Sequence, residues 1–288
     1  MIKKGIILAG GFGSRLSPLT KVINKQLLPL YDKPLIFYPL SVLMLAGIKN
    51  ILIIVNPNEK RNFQKILGDG SYFGIKIEYK EQKKPKGLPE AFLIGKDFIQ
   101  DDKVALILGD NFFYGQGFTK RLEQIIKKNT GATIFAYNVK NPERYGIVNF
   151  RKNNKILNIE EKPKKPKTNF AITGLYFFDK HVVNFSKKIK PSKRGELEIV
   201  DVLKKYLRMN KLKLEFIGRG GAWLDAGNPR DLFDASQFVS SIEERQGLKI
   251  ACLEEIAFNK GWINKTNIKE RIKFYGKCSY SDYLKNIL

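Results

Sequence analysis

The sequence predicts an α/β fold, with a mostly parallel central sheet flanked by helices and a smaller antiparallel or mixed sheet excursion beside it. Two observations carry this. Short apolar runs bounded by turn residues are continuous rather than alternating, as in strands buried on both faces. Between them lie longer segments with apolar residues at helical spacing. In chain order, Ile6–Ala9 is the first buried strand, and Leu35–Gly47 has helical spacing. Ile51–Val55 is the next strand, Asn62–Leu67 a helix stopped by Gly68, and Val104–Leu108 another strand. In the middle of the chain Ala132–Val139, Ile147–Phe150, Ile156–Ile159 and Gly174–Phe178 read as strands separated by turn-rich and Lys/Pro-rich loops, which is the expected excursion. From Leu232 to Gln246 the pattern is helical, and the residues beyond have little strand character. No Pro/Gly/Ser-rich linker divides the 288 residues, so one domain with a helical C-terminal extension is expected.

Composition narrows the chemistry. Hydrophobic residues make up 43% of the chain, enough for a packed core and too many for general disorder. The formal charge of +24 comes from 52 basic against 28 acidic residues. The cations are 41 Lys and 11 Arg in dispersed runs such as Lys83-Lys84-Pro85-Lys86, which suit solvated faces and phosphate-bearing small molecules better than a nucleic-acid surface. Two cysteines, Cys252 and Cys278, make no disulfide framework, and the single His181 removes most zinc and Ser-His or Cys-His mechanisms. Only Gly5–Ala9 separates the initial lysines from a glycine cluster, too short for a signal peptide. No run approaches about 20 apolar residues, so neither export nor a membrane span is expected and the cytoplasm is the default.

Five stretches carry candidate chemistry. Leu8-Ala9-Gly10-Gly11-Phe12-Gly13-Ser14-Arg15-Leu16 follows the first strand. Its glycines let the backbone approach a ligand and turn N–H groups inward as an anion nest, and Arg15 adds a bidentate phosphate donor. Leu16 breaks the dinucleotide fingerprint and there is no P-loop, so a structural strand-to-helix turn is the competing reading. Asn24-Lys25-Gln26-Leu27-Leu28-Pro29 supplies a second cation. Asp110, in Leu108-Gly109-Asp110-Asn111, lies at the carboxyl end of a strand, where a hard cation bridging phosphates is held. Asp225 follows another strand-like segment; either Asp alone also suits a cap or a turn. Glu160-Glu161-Lys162-Pro163 sets carboxylates beside a lysine and competes with a plain ion pair at a turn.

Taken together and in this order, these stretches resemble the sugar-phosphate nucleotidyltransferases, and within them the short bacterial type that makes dTDP-glucose on the way to dTDP-rhamnose. The resemblance runs over nearly the entire chain. It includes Lys25–Pro34, Leu67–Gly70, Pro142–Gly146, Thr173–Tyr176, Gly195–Ile199 and Ile242–Gly247. It implies a Rossmann-like nucleotidyltransferase fold in residues 1–240, nucleotide-binding over 1–130 and sugar-binding over 131–240, with 241–288 as an oligomer or regulatory surface. The implied reaction is attack of glucose 1-phosphate on the α-phosphorus of dTTP with release of pyrophosphate. The resemblance puts the triphosphate on Leu8, Gly10, Gly11, Gly13 and Ser14, with Arg15 and Lys25 on the α-phosphate and leaving group. It puts Lys162 on the sugar phosphate, and Asp110 and Asp225 on magnesium. Gln26 and Gln82 would read thymine while Gly87 lets the base pack closely. Gly146, Glu161, Ile172 and Tyr176 would hold the sugar, and Arg194 would add a phosphate contact. A homotetramer with feedback control near Arg219, Arg245 and Glu255 is also implied.

The chain departs from the family pattern at two points. Ser14 replaces the usual threonine and keeps the hydroxyl, and Phe12 fills a position often smaller or polar. Uracil offers the same hydrogen-bonding edge as thymine, so a sister enzyme using UTP or another hexose 1-phosphate remains an alternative at this level.

Overall fold

In a computed structural model describing residues 1–288, the first apolar run forms β1 (Lys4–Ala9), and the hairpin β2 (Pro29–Leu30) and β3 (Lys33–Pro34) leads into helix α1 (Phe37–Leu45). Next come β4 (Asn50–Val55), α2 (Lys60–Leu67), β5 (Lys76–Glu81), α3 (Glu90–Ile94), α4 (Lys96–Ile99) and β6 (Val104–Leu108). The middle holds β7 (Asn111–Gly115), α5 (Phe118–Lys128), β8 (Ala132–Asn138), β9 (Gly146–Phe150), β10 (Ile156–Glu161) and β11 (Phe170–Phe178). Helices α6 (Val182–Lys187) and α7 (Ile199–Arg208) precede β12 (Leu212–Phe216) and β13 (Gly221–Asp225). The chain ends in α8 (Pro229–Gln246), α9 (Leu253–Asn259), α10 (Lys265–Tyr275) and α11 (Ser279–Asn286).

Strands β5, β4, β1 and β6 pair in parallel in that order, and β11 runs antiparallel against β6. From β11 the sheet continues through β9 to β10 and, by another edge, through β8 to β12. The parallel core with a mixed excursion is the predicted class. Its continuous apolar runs have a simple cause: Ile7, Ile53 and Ile107 point into one core and Ile6, Leu52 and Leu106 into the other, on opposite faces of one sheet. Apolar almost all round, α1 is buried accordingly, packed between the sheet and α9.

Two expectations shift. The competing strand-to-helix reading of the glycine loop fails, because the loop leads into two 3-10 turns, Ser14–Leu16 and Leu19–Lys21, with Pro18 between them, and no α-helix. Strand β5 escaped notice because its Lys and Glu residues alternate with Ile77 and Tyr79, as befits an edge strand with one face in solvent. The anticipated boundary at residue 240 falls inside α8, which runs unbroken to Gln246. No helix is long and apolar enough to cross a membrane.

Candidate active site

The carboxyl ends of β1, β6, β10 and β13 converge on two contiguous cavities. The first, about 380 Å³, is lined by Leu8, Gly11, Gly13, Ser14 and Arg15, by Lys25 and Gln26, by Gln82 and Gly87, and by Asp110. The second, about 180 Å³, is lined by Gly146, Ile172, Gly174, Tyr176, Trp223 and Asp225. Arg15, Glu161 and Lys162 belong to both. Neither Arg15 nor Lys162 has an ion-pair partner in the chain, whereas Lys25 is bound to Asp110 and Arg194 to Glu196 and Glu198 at 2.9 and 3.3 Å. The junction thus carries two cations without an ion-pair partner, one from each half of the fold.

Local backbone geometry serves the cavities. Gly87 has φ +105°, and a Cβ there would come within 2.0 Å of the Leu197 carbonyl oxygen, so only glycine fits. Gly10 does not line the cavity itself but admits Gln82, whose Oε1 would lie 2.2 Å from a Cβ at position 10. Gln26 rides on the 3-10 turn Lys25–Leu27, capped by the Asn24 side chain. Lys162 sits at φ +42° directly after β10, its N–H bonded to the Tyr145 carbonyl at 3.0 Å.

The two aspartates are electrostatically unequal. Burial acts to raise Asp110, but the Lys25 ammonium outweighs it and holds the carboxyl below its ordinary value, helped by the Asn111 amide, whose Nδ2 donates at 3.0 Å. Asp225 closes β13 opposite Asn111 in the β7 register, where burial and then the Asp110 charge push it up to about 7. Two hard oxygen donors, one of them held back from ionising by burial and its like-charged neighbour, suit a divalent metal completed by phosphate oxygens. No cluster of three or more His, Cys, Asp or Glu offers a protein-only site. On the sugar side, burial and then Glu198 raise Glu161, and burial raises the Tyr176 hydroxyl well above its ordinary value.

Residues 4–242 match the Nucleotidyl transferase family. The chain belongs to that family. Over 285 residues, 99% of each chain, it is 53% identical to the glucose-1-phosphate thymidylyltransferase of Neisseria meningitidis serogroup A. It is 50% identical to the Xanthomonas campestris strain B100 enzyme of the same name over 282 residues, 98% of this chain and 96% of that one. A crystal structure of a protein assigned as a glucose-1-phosphate thymidylyltransferase from Bacillus anthracis, in complex with a sucrose, superposes with a TM-score of 0.75 at 40% identity, covering 82% of this chain and 94% of that one. Nucleotidyltransferases of this family generally employ a divalent metal, in keeping with the paired aspartates.

In this nucleotidyltransferase the residues that the sequence places at the nucleotide, sugar and metal positions line the two cavities, save Gly10, which packs against Gln82. The three regulatory candidates do not: Arg219 lines another cavity with Tyr137, Phe170 and Phe216, Arg245 is exposed, and Glu255 accepts from the Tyr283 hydroxyl at 2.8 Å. Residues that sequence reasoning passed over are Asn111, Trp223 and Glu90. Asn111 Oδ1 accepts from the Trp223 indole at 2.7 Å and from the Gly174 N–H at 3.0 Å, joining β7, β13 and β11. Its place in Leu108-Gly109-Asp110-Asn111 was the one available signal, and Glu90 had none.

Proposed function

We propose that this nucleotidyltransferase joins glucose 1-phosphate to the thymidylyl group of dTTP, forming dTDP-glucose and pyrophosphate, as a first step towards dTDP-rhamnose and related deoxysugars. One observation carries it: the unpaired cations Arg15 and Lys162 stand where a nucleotide-sized cavity and a sugar-sized cavity meet, as two phosphate-bearing substrates require. The nucleophile is a sugar-phosphate oxygen that is already anionic, so the chain need supply no nucleophile and no general base. Arg15, with Lys25, neutralises the α-phosphate and the departing pyrophosphate. Lys162 holds the attacking phosphate in line, with Arg194 behind it. Glu161 and Tyr176 take the sugar against Gly146 and Ile172, and Gln26 and Gln82 take the base. Asp110 and Asp225 are the residues that would hold magnesium. When bound, magnesium screens the repulsion between two anionic substrates and stabilises charge on the leaving group.

We read the protein as a cytoplasmic homotetramer, with residues 241–288 and the region of Arg219, Arg245 and Glu255 forming its oligomeric and regulatory surface. Light scattering tests the assembly directly. The activity is tested by pyrophosphate release with magnesium, pairing dTTP or UTP with glucose 1-phosphate or galactose 1-phosphate and omitting each substrate in turn. Release that needs both dTTP and glucose 1-phosphate is expected. A preference for another pair would replace the substrates, and no release with any pair would overturn the reading.

A further inference from the structure

Gln82 is 2% exposed, and its amide nitrogen donates to Glu90 Oε2 at 2.6 Å. The same carboxylate oxygen accepts the Lys86 N–H at 3.0 Å, which anchors it at the start of α3. A carboxylate accepts hydrogen bonds and donates none, so Glu90 leaves Gln82 a single orientation, nitrogen towards α3 and oxygen towards Gly10. That oxygen accepts no hydrogen bond from the chain, and Gln82 lines the larger cavity. Gln26, 3% exposed in the same cavity, has a buried Oε1 that is likewise without a donor. The Gln26 oxygen is a buried acceptor left unpaired, which is costly, and the Gln82 oxygen is free beside it at the cavity wall; a ligand N–H would satisfy either.

We infer that Glu90 is a specificity-positioning residue: by fixing the Gln82 amide as an acceptor, it selects nucleotides whose base carries a ring N–H, thymine or uracil, over cytosine, whose ring nitrogen carries a lone pair. The selection acts largely by exclusion, since an acceptor held against an acceptor leaves both unpaired. Glu90 touches neither substrate cavity and acts only through Gln82. The inference rests on the reading that the larger cavity takes the nucleotide.

The test compares Glu90→Met, which keeps the length and removes the acceptor, with Glu90→Gln, whose carbonyl can still accept from Gln82. Rates are measured with dTTP and dCTP, and dissociation constants with dTDP and dCDP by calorimetry. Glu90→Met is expected to narrow the thymidine-to-cytidine preference about tenfold in both kcat/KM and Kd, and to leave the KM for glucose 1-phosphate unmoved. Glu90→Gln is expected to retain the preference. A Glu90→Met variant that discriminates as sharply as the parent, or that loses both nucleotides equally along with its Tm, would overturn the inference. If the parent turns over no thymidine nucleotide yet prefers dTDP to dCDP through Glu90, the proposed reaction falls and this inference stands.

Discussion

Asp110 and Asp225 lie side by side at the ends of neighbouring strands, and only Asp110 has a cation of its own, the Lys25 ammonium. Asp225 is therefore the carboxyl on which burial and like charge fall, and it titrates near 7 rather than in the usual carboxylate range.

This inequality predicts a pH-dependent cost. A carboxyl raised to about 7 in the folded protein binds a proton that the unfolded chain has already released, so metal-free stability declines as pH rises from about 4 to 7 and stays reduced above that. Asp225→Asn should raise the Tm of the metal-free protein at pH 8, have little effect at pH 4, and lower turnover at least about 100-fold. Thermal unfolding in chelator at both pH values, beside a pyrophosphate assay, checks all three. An unchanged Tm at pH 8 would contradict the assignment.

Lys25 has a structural duty as well as a phosphate to meet. Its side chain is 6% exposed and that of Asp110 19%. Lys25→Met leaves the Asp110 carboxylate without its ion-pair partner beside a second carboxyl and should destabilise the protein by about 3 kcal/mol, as denaturant unfolding would measure. Lys25→Met with Asp110→Asn should recover most of that stability and none of the activity.

Glu161 bears the burial and like-charge cost on the sugar side. Its neutral isostere should therefore be tolerated or stabilising in the free protein and poor in catalysis. Glu161→Gln is expected to hold or raise Tm while raising the KM for glucose 1-phosphate about tenfold or more and leaving that for dTTP near its parent value.

The C-terminal helices are fastened by a buried pair. Glu254 is wholly buried, Arg271 is 2% exposed, and they meet at 3.3 Å, with the Tyr275 and Tyr280 hydroxyls donating to the same carboxylate at 2.8 Å. Arg271 also lies 5.1 Å from the rings of Tyr72 and Phe73, which ties α10 to the N-terminal half. Arg271→Met should cost about 3 to 5 kcal/mol. It should also expose Cys252, whose thiol is buried and pushed up by desolvation, whereas Cys278 is exposed and lowered by the Ser281 hydroxyl and backbone. Thiol alkylation near pH 8 should mark one cysteine in the parent and two in the variant.

The sequence by itself determined the architecture and the kind of chemistry. Continuous apolar runs such as Ile51–Val55, too short for a helix and bounded by turn residues, read as strands covered on both faces, and glycine clustering with Arg15 after β1 leaves few ligands other than phosphate. These signals are local, written in residues that neighbour one another along the chain. What only the tertiary structure decided depends on partners far apart: Lys25 with Asp110, 85 positions on, and Trp223 with Asn111, 112 positions away. Even Glu90, eight residues from Gln82, shows its bearing only once the loop between them folds back. Which carboxylate is charged, which cation is free and which way an amide faces are set by charge and hydrogen bonding across packed elements. No spacing along the chain encodes these, because they arise only when water is excluded and each buried polar group takes the partner that the fold presents.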